Sequence, residues 1–124
     1  MKQVVGAAIE RCARNDLVAC LGNVTSVAFE TGCFMTSSRY RNYGDVTYRI
    51  DGGSPRVAAM VAGRDDRSLG YWSGDVAIPF VRDLLGKSRL TAKMTPFSED
   101  PLQASFDIRG LDKAIAPIRK ACGW

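Results

Sequence analysis

Residues 89–108 read Arg-Leu-Thr-Ala-Lys-Met-Thr-Pro-Phe-Ser-Glu-Asp-Pro-Leu-Gln-Ala-Ser-Phe-Asp-Ile. Two runs within this stretch alternate. Leu90, Ala92 and Met94 interleave with Arg89, Thr91, Lys93 and Thr95; further on, Leu102, Ala104, Phe106 and Ile108 interleave with Gln103, Ser105 and Asp107. Successive side chains of a strand point to opposite faces, so each run has one buried and one wet face, the habit of antiparallel sheets. Ser98-Glu99-Asp100-Pro101 between them has turn chemistry.

Working outward, the same period recurs. Val46, Tyr48 and Ile50 alternate with Asp45, Thr47 and Arg49; Val27 and Phe29 mark a strand around residues 24–31; residues 17–21 suit another, and 56–61 a weaker one. Gly22-Asn23 and Asp51-Gly52-Gly53-Ser54-Pro55 punctuate these runs with residues that tolerate positive φ, as hairpins demand. Asp75 to Leu85 reads as a helix through Ile78, Val81 and Leu85 with Phe80 and Leu84, stopped by Gly86 and with Pro79 in its first turn. Leu111, Ile115, Ile118 and Cys122 recur at helical spacing from a start near Asp112, and Pro117 should kink or shorten that helix. A third short helix is expected over residues 3–14, within an N-terminal segment 1–16. The expected fold is α+β: a small antiparallel sheet of about five to six strands with two or three short helices packed on it. With no linker composition and no internal repeat, residues 1–124 read as a single domain.

The chain has 124 residues, 46% of them hydrophobic, and a net charge of +4 from 17 Lys+Arg against 13 Asp+Glu. That excess is mild. Arg39, Arg41, Arg49 and Arg56 alternate with polar and apolar residues as on a solvated strand face, which ranks a nucleic-acid surface below the bland reading. Cys12, Cys20, Cys33 and Cys122 are too unevenly spaced for a zinc site, and the chain has no histidine to complete one. Two disulfides are the leading reading, with buried free thiols as the alternative; three connectivities are open. A bridge from the N-terminal third to Cys122 would close a loop of about 90–110 residues and stabilise by about 4–5 kcal/mol in the chain-entropy model. Disulfides imply export, yet Met-Lys-Gln-Val-Val-Gly-Ala-Ala does not make a signal peptide. The preferred expectation is a chain that begins after a removed signal, the other a cytosolic chain with reduced cysteines. No segment approaches a membrane span.

Catalytic chemistry finds little footing. Histidine, the commonest acid–base group, is absent, and no phosphate-binding or dinucleotide fingerprint occurs. Asp65-Asp66 and Glu99-Asp100 are neighbouring carboxylates in expected turns, where acidic residues serve conformation. Ser73 in Trp72-Ser73-Gly74-Asp75 lacks the flanks of a nucleophile elbow and reads better as a helix N-cap region. Asn23-Val24-Thr25 is formally a glycosylation acceptor, but reads as a turn. Tyr40, Tyr43, Tyr71 and Trp72 lie in or near loops and could anchor an interface or half cover the core. No catalytic residue, metal ligand or cofactor is assigned.

The ordered segments Val46-Thr47-Tyr48-Arg49-Ile50-Asp51, Ala77-Ile78-Pro79-Phe80-Val81, Thr95-Pro96-Phe97-Ser98-Glu99-Asp100-Pro101, Phe106-Asp107-Ile108-Arg109-Gly110-Leu111 and Ala121-Cys122-Gly123-Trp124 resemble the VasI/TagO family. These are type VI secretion-associated accessory proteins that also occur in prophages, and the resemblance covers about residues 17–124. It implies a bridge between Cys20 and Cys122, which leaves Cys12 with Cys33. It brings no catalytic residues. The expectation is a non-enzymatic periplasmic accessory or adaptor that binds a protein of the envelope or secretion machine. The alternatives are a phage- or prophage-encoded protein that binds and inhibits a host protein, and a cytosolic nucleic-acid binder.

Overall fold

The computed structural model describes residues 2–8, 15–31, 33–37, 43–97 and 101–124. Among them the order is β1 (Lys2–Ala8), β2 (Asn15–Leu21), β3 (Val24–Glu30), β4 (Asp45–Ile50), β5 (Arg56–Ala59), β6 (Val61–Ala62), β7 (Ser68–Tyr71), α1 (Gly74–Leu84), β8 (Arg89–Met94), β9 (Leu102–Asp107), α2 (Leu111–Ala114) and α3 (Ala116–Cys122). The fold is α+β. All pairings are antiparallel, in the spatial order β5-β4-β8-β9-β1-β2-β3-β7-β6.

The sheet has two halves joined by β1, which pairs with β2 over residues 2–6 and with β9 through Ala7 and Ala8. Its two ends, β5 and β6, are separated only by Met60. They are therefore two parts of one bent strand, and the strands number eight when they are counted together. The halves face each other. β3 and β9 lie three positions apart in the sheet, about 14 Å if it were flat. Yet the rings of Phe29 and Phe106 stand 5.5 Å apart, so the sheet curls around a shared interior.

That interior takes the apolar partner from each alternating run. β8 and β9 contribute Leu90, Ala92, Met94, Leu102, Ala104 and Phe106, all buried, while Arg89, Lys93, Gln103 and Asp107 are exposed. Val46 and Tyr48 of β4 point inward with them, as do Val27 and Phe29 of β3. α1 adds Ala77, Phe80, Val81 and Leu84, and the C-terminal segment adds Leu111, Ile115 and Ile118. Burying a Leu, Ile or Phe side chain stabilises by about 1.5–3 kcal/mol, which makes this interior the dominant favourable term.

Several expectations need correction. The sheet is larger than five to six strands because β1 and β7 were not expected. Residues 2–8 are strand, not helix: Val4 and Val5 are stiff β-branched residues, and the segment finds ladder partners on both sides. Residues 9–14 of the expected helix lie outside the described residues. β7, Ser-Leu-Gly-Tyr, shows no alternation because Ser68, Leu69 and Gly70 are all buried. A Cβ on Gly70 would lie 2.5 Å from the Val27 carbonyl oxygen and 2.8 Å from Ala28 Cβ, so glycine permits the close approach of β7 to β3. The 56–61 run is split at Met60.

α1 starts at Gly74, which places Pro79 in the second turn and not the first. Without an N–H, Pro79 cannot donate to the Asp75 carbonyl, and one helical bond is forgone. Gly86, at φ 77°, follows the C-cap residue Leu85 as the stop. At the C-terminus the helical run breaks at Ile115, and Pro117 sits in the first turn of α3, where its missing N–H is harmless. Gly22 and Asn23 take φ of 56° and 64°, the paired left-handed conformation of a two-residue hairpin turn. Of the Ser98–Pro101 turn, residues 98–100 lie outside the described residues.

Candidate functional site

Three features are built on this scaffold: a C-terminal clasp, an aromatic end and a cleft beside α1.

The clasp starts at Cys20 on β2, bonded to Cys122 at the end of α3 with Cα atoms 5.9 Å apart and 102 residues between them. This is the pairing that the family resemblance implies. Two residues on, the Trp124 indole N–H donates to the buried Thr25 hydroxyl at 2.8 Å. Thr25 is the register partner of Cys20, so both links hold the same rung of the β2–β3 ladder. Arg119 Nε donates to the Trp124 carbonyl at 3.1 Å, and the guanidinium groups of Arg119 and Arg82 lie 5.0 and 5.5 Å from the indole ring. The Trp124 side chain thus ties α3, α1 and β3 together. Cys33 is also disulfide-bonded, and no described cysteine is free. Cys12, named as its partner, lies outside the described residues.

The aromatic end is made by loops. The segment after β3 is pinned to the β6–β7 loop: Thr31 N donates to Arg67 O at 2.8 Å and Met35 N to Asp66 O at 2.7 Å. Phe97 N donates to Phe34 O at 2.9 Å, which brings the loop after β8 alongside. Phe34 and Phe97 pack edge to face at 5.8 Å, Tyr43 lies 5.4 Å from Phe97, and the Arg67 guanidinium stands 5.8 Å from Phe34. Phe34 and Phe97 keep 41% and 36% of their surface exposed. Phenylalanine, tyrosine and arginine together are the residue types that anchor protein interfaces.

The cleft lies beside α1, between β4 and β7. Phe80 of α1 spans the two strands, packing edge to face on Tyr48 of β4 at 5.2 Å and on Tyr71 of β7 at 5.7 Å. Burial of the Tyr71 phenol, with a smaller contribution from Tyr48, raises its pKa. A cleft of ≈ 270 Å³ opens over these three rings, with Val76 and Pro79 on its wall and Asp75 and Asp83 on its rim.

The residues singled out from the sequence separate among these features. Tyr43 joins the aromatic end and Tyr71 the cleft, whereas Tyr40 lies outside the described residues. Trp72, the residue after β7, donates its indole N–H to Val61 O of β6 at 2.8 Å. Asp65 accepts from the Arg67 amide at 3.0 Å and the Ser68 hydroxyl at 3.4 Å, a turn role for that carboxylate. Glu99 and Asp100 lie outside the described residues. Ser73 stands at the N-cap of α1, but its hydroxyl bonds the Asp75 carboxylate and not a backbone amide. Phe34 and Phe97 are not among the aromatic residues the sequence offers as interface anchors: neither falls in a periodic run, and loop closure brings them together.

Charged groups elsewhere hold turns. Asp51 accepts from the amides of Arg89 at 2.8 Å and Ser88 at 2.9 Å, and these bonds lower its pKa. Arg109 makes a two-pronged contact with Asp107, at 2.7 and 3.0 Å, which lowers the Asp107 carboxyl to about 2 and raises the guanidinium. A polar cleft of ≈ 470 Å³ is lined by these two residues with Ser88, Arg89, Ser105 and Phe106. Among the described residues no group of three or more His, Cys, Asp or Glu could hold a metal ion. No described helix is long and apolar enough to cross a membrane.

A family model described as type VI secretion system VasI, EvfG matches residues 16–124. No curated protein matches the chain, and no solved structure does.

Proposed function

The chain belongs to the type VI secretion system VasI/EvfG family and is a type VI secretion-associated protein; from that premise we propose that it is a non-enzymatic periplasmic accessory that binds a protein of the envelope or secretion machine. The observation that carries the compartment is the disulfide between Cys20 and Cys122, together with the bonded state of Cys33. Such bonds persist in oxidising compartments such as the periplasm and are rare in the cytosol.

Binding is favoured over catalysis by how the candidate groups are used. Asp65 closes a turn, Ser73 and Asp75 bond each other at a helix start, and the chain contains no histidine. The exposed Phe34–Phe97 pair, by contrast, has the composition of an interface anchor.

The test combines fractionation with affinity capture. Tagged protein expressed from its own gene should partition with the periplasm, show no reactive thiol before reduction, and retain a secretion-system subunit from envelope extract. A cytoplasmic protein with four reactive thiols would overturn the reading. Capture of an envelope hydrolase instead would favour the inhibitor alternative, and salt-sensitive retention of DNA or RNA the nucleic-acid one.

A further inference from the structure

We propose that the open edge of β5, with the cleft beside α1, receives an extended strand of a partner protein that carries a basic side chain. The proposal rests on the reading of the chain as a protein binder and names where and how it binds.

The edge follows from the bend at Met60. Met60 N donates to Gly44 O at 3.0 Å, which makes these two residues a hydrogen-bonded pair. In the β4–β5 register the bonded pairs then continue as Ala58 with Val46 and Arg56 with Tyr48. The backbone N–H and C=O groups of Val57 and Ala59 therefore point away from β4. Among the described residues β5 has no strand neighbour on that side: it ends the sheet, and its continuation β6 turns to pair with β7. Val57 and Ala59 are exposed, Val57 at 63%. An edge with outward donors and acceptors is the template on which an extended peptide adds as a new strand.

The cleft adjoins the same edge. Arg56, the first residue of β5, reaches Asp83 of α1 at 3.4 Å, and Asp83 is on the cleft rim. Tyr48, the register partner of Arg56, forms part of the floor. A strand laid along Val57 and Ala59 would thus run beside a pocket with an aromatic floor. Val76 on its wall is 42% exposed.

The rim selects the sign of charge. Asp75 and Asp83 are the charged residues lining the cleft. Asp83 shares its carboxylate with Arg56 in an ion pair whose side chains are 56% and 58% exposed, an interaction of small worth that an incoming cation can replace. Among the described residues Asp75 is engaged with the Ser73 hydroxyl. A lysine or arginine could rest its aliphatic stem on Tyr48, Tyr71 and Phe80 and place its charge between the two aspartates. Two backbone positions and one pocket make a small site, which suits weak, exchangeable docking.

The test uses the folded, oxidised chain and a synthetic probe, the peptide acetyl-Thr-Val-Lys-Val-Thr-amide, with a matched peptide bearing glutamate for lysine. In NMR titrations the lysine peptide should shift the Val57 and Ala59 amides and the Tyr48 and Tyr71 ring signals at millimolar concentration. The double change D75N/D83N should weaken it by about fivefold or more. Val57→Pro, which removes an outward donor without touching the β4 bonds, should abolish the response while the Phe29 and Phe106 ring signals stay in place. Equal binding of the glutamate peptide, shifts confined to other surfaces, or no shift would overturn the proposal. In cells, a photo-crosslinker at Val57 or Val76 should capture a discrete protein, and one at Thr91 on the far face should not. Capture from Phe34 alone would sink this site and leave the binding reading intact. Capture of nucleic acid, or of nothing from any position, would sink both.

Discussion

The Trp124 indole N–H bonds the Thr25 hydroxyl at 2.8 Å, across 99 residues of chain. Thr25 is only 2% exposed, and Trp124 is half-buried, so the bond sits at the edge of the interior where water competes poorly. Thr25→Val keeps the shape and removes the acceptor. It should cost about 1–2 kcal/mol, the usual penalty for stranding one donor, read as a lower urea midpoint with an unchanged slope. Near-ultraviolet circular dichroism should report a loosened Trp124 in the same variant.

The disulfide beside this bond should matter more. Replacing Cys20 and Cys122 together with alanine releases a loop of 102 residues from the unfolded chain. The expected loss is about 4–5 kcal/mol, seen in chemical denaturation of the double variant against the oxidised parent. A difference below about 1 kcal/mol would mean that α3 docks without its covalent tie.

Gly70→Ala tests the approach of β7 to β3. Its Cβ would stand 2.8 Å from Ala28 Cβ and 2.5 Å from a backbone oxygen, and backbone cannot swing aside as a flexible side chain can. A destabilisation of about 1–3 kcal/mol is expected, and the amides of residues 68–71 should lose hydrogen-exchange protection first.

The Asp107–Arg109 contact predicts an acid response. Its folded carboxyl titrates at about 2, below the ordinary 3.8. A lowered value means that the ionised form is favoured by folding. Its contribution is therefore complete above about pH 4 and disappears as the pH falls through about 2. A carboxyl carbon NMR titration should find the midpoint near 2 in the parent chain. In Arg109→Gln it should move up toward 3.8.

Much of the sheet is legible in the sequence alone. β4, β8 and β9 have one wet face each, so water imposes an alternation that can be read residue by residue, as in Leu90 to Met94. The hairpin turn at Gly22-Asn23 and the break near Pro117 follow from backbone chemistry that is equally local. β7 escapes because burial on both faces erases the alternation, and β1 because short apolar runs do not distinguish strand from helix. The candidate surfaces were least legible. Phe34 and Phe97 meet only through loop closure, and the cleft draws its walls from β4, β7 and α1.

The sequence by itself therefore determined the α+β class, the antiparallel strands with one wet face, and the helical segments with their stops, because each is written in contacts with water and in local backbone preference. Its likeness to a known family also pointed to the Cys20–Cys122 link. Only the tertiary structure decided that, among the described residues, eight strands curl around a shared interior, that Met60 bends one strand to pair on both sides, and that the end strand β5 lies beside an aromatic cleft. Those features arise from partners distant along the chain, whose meeting depends on the packing of the whole interior and leaves no periodic trace in any single segment.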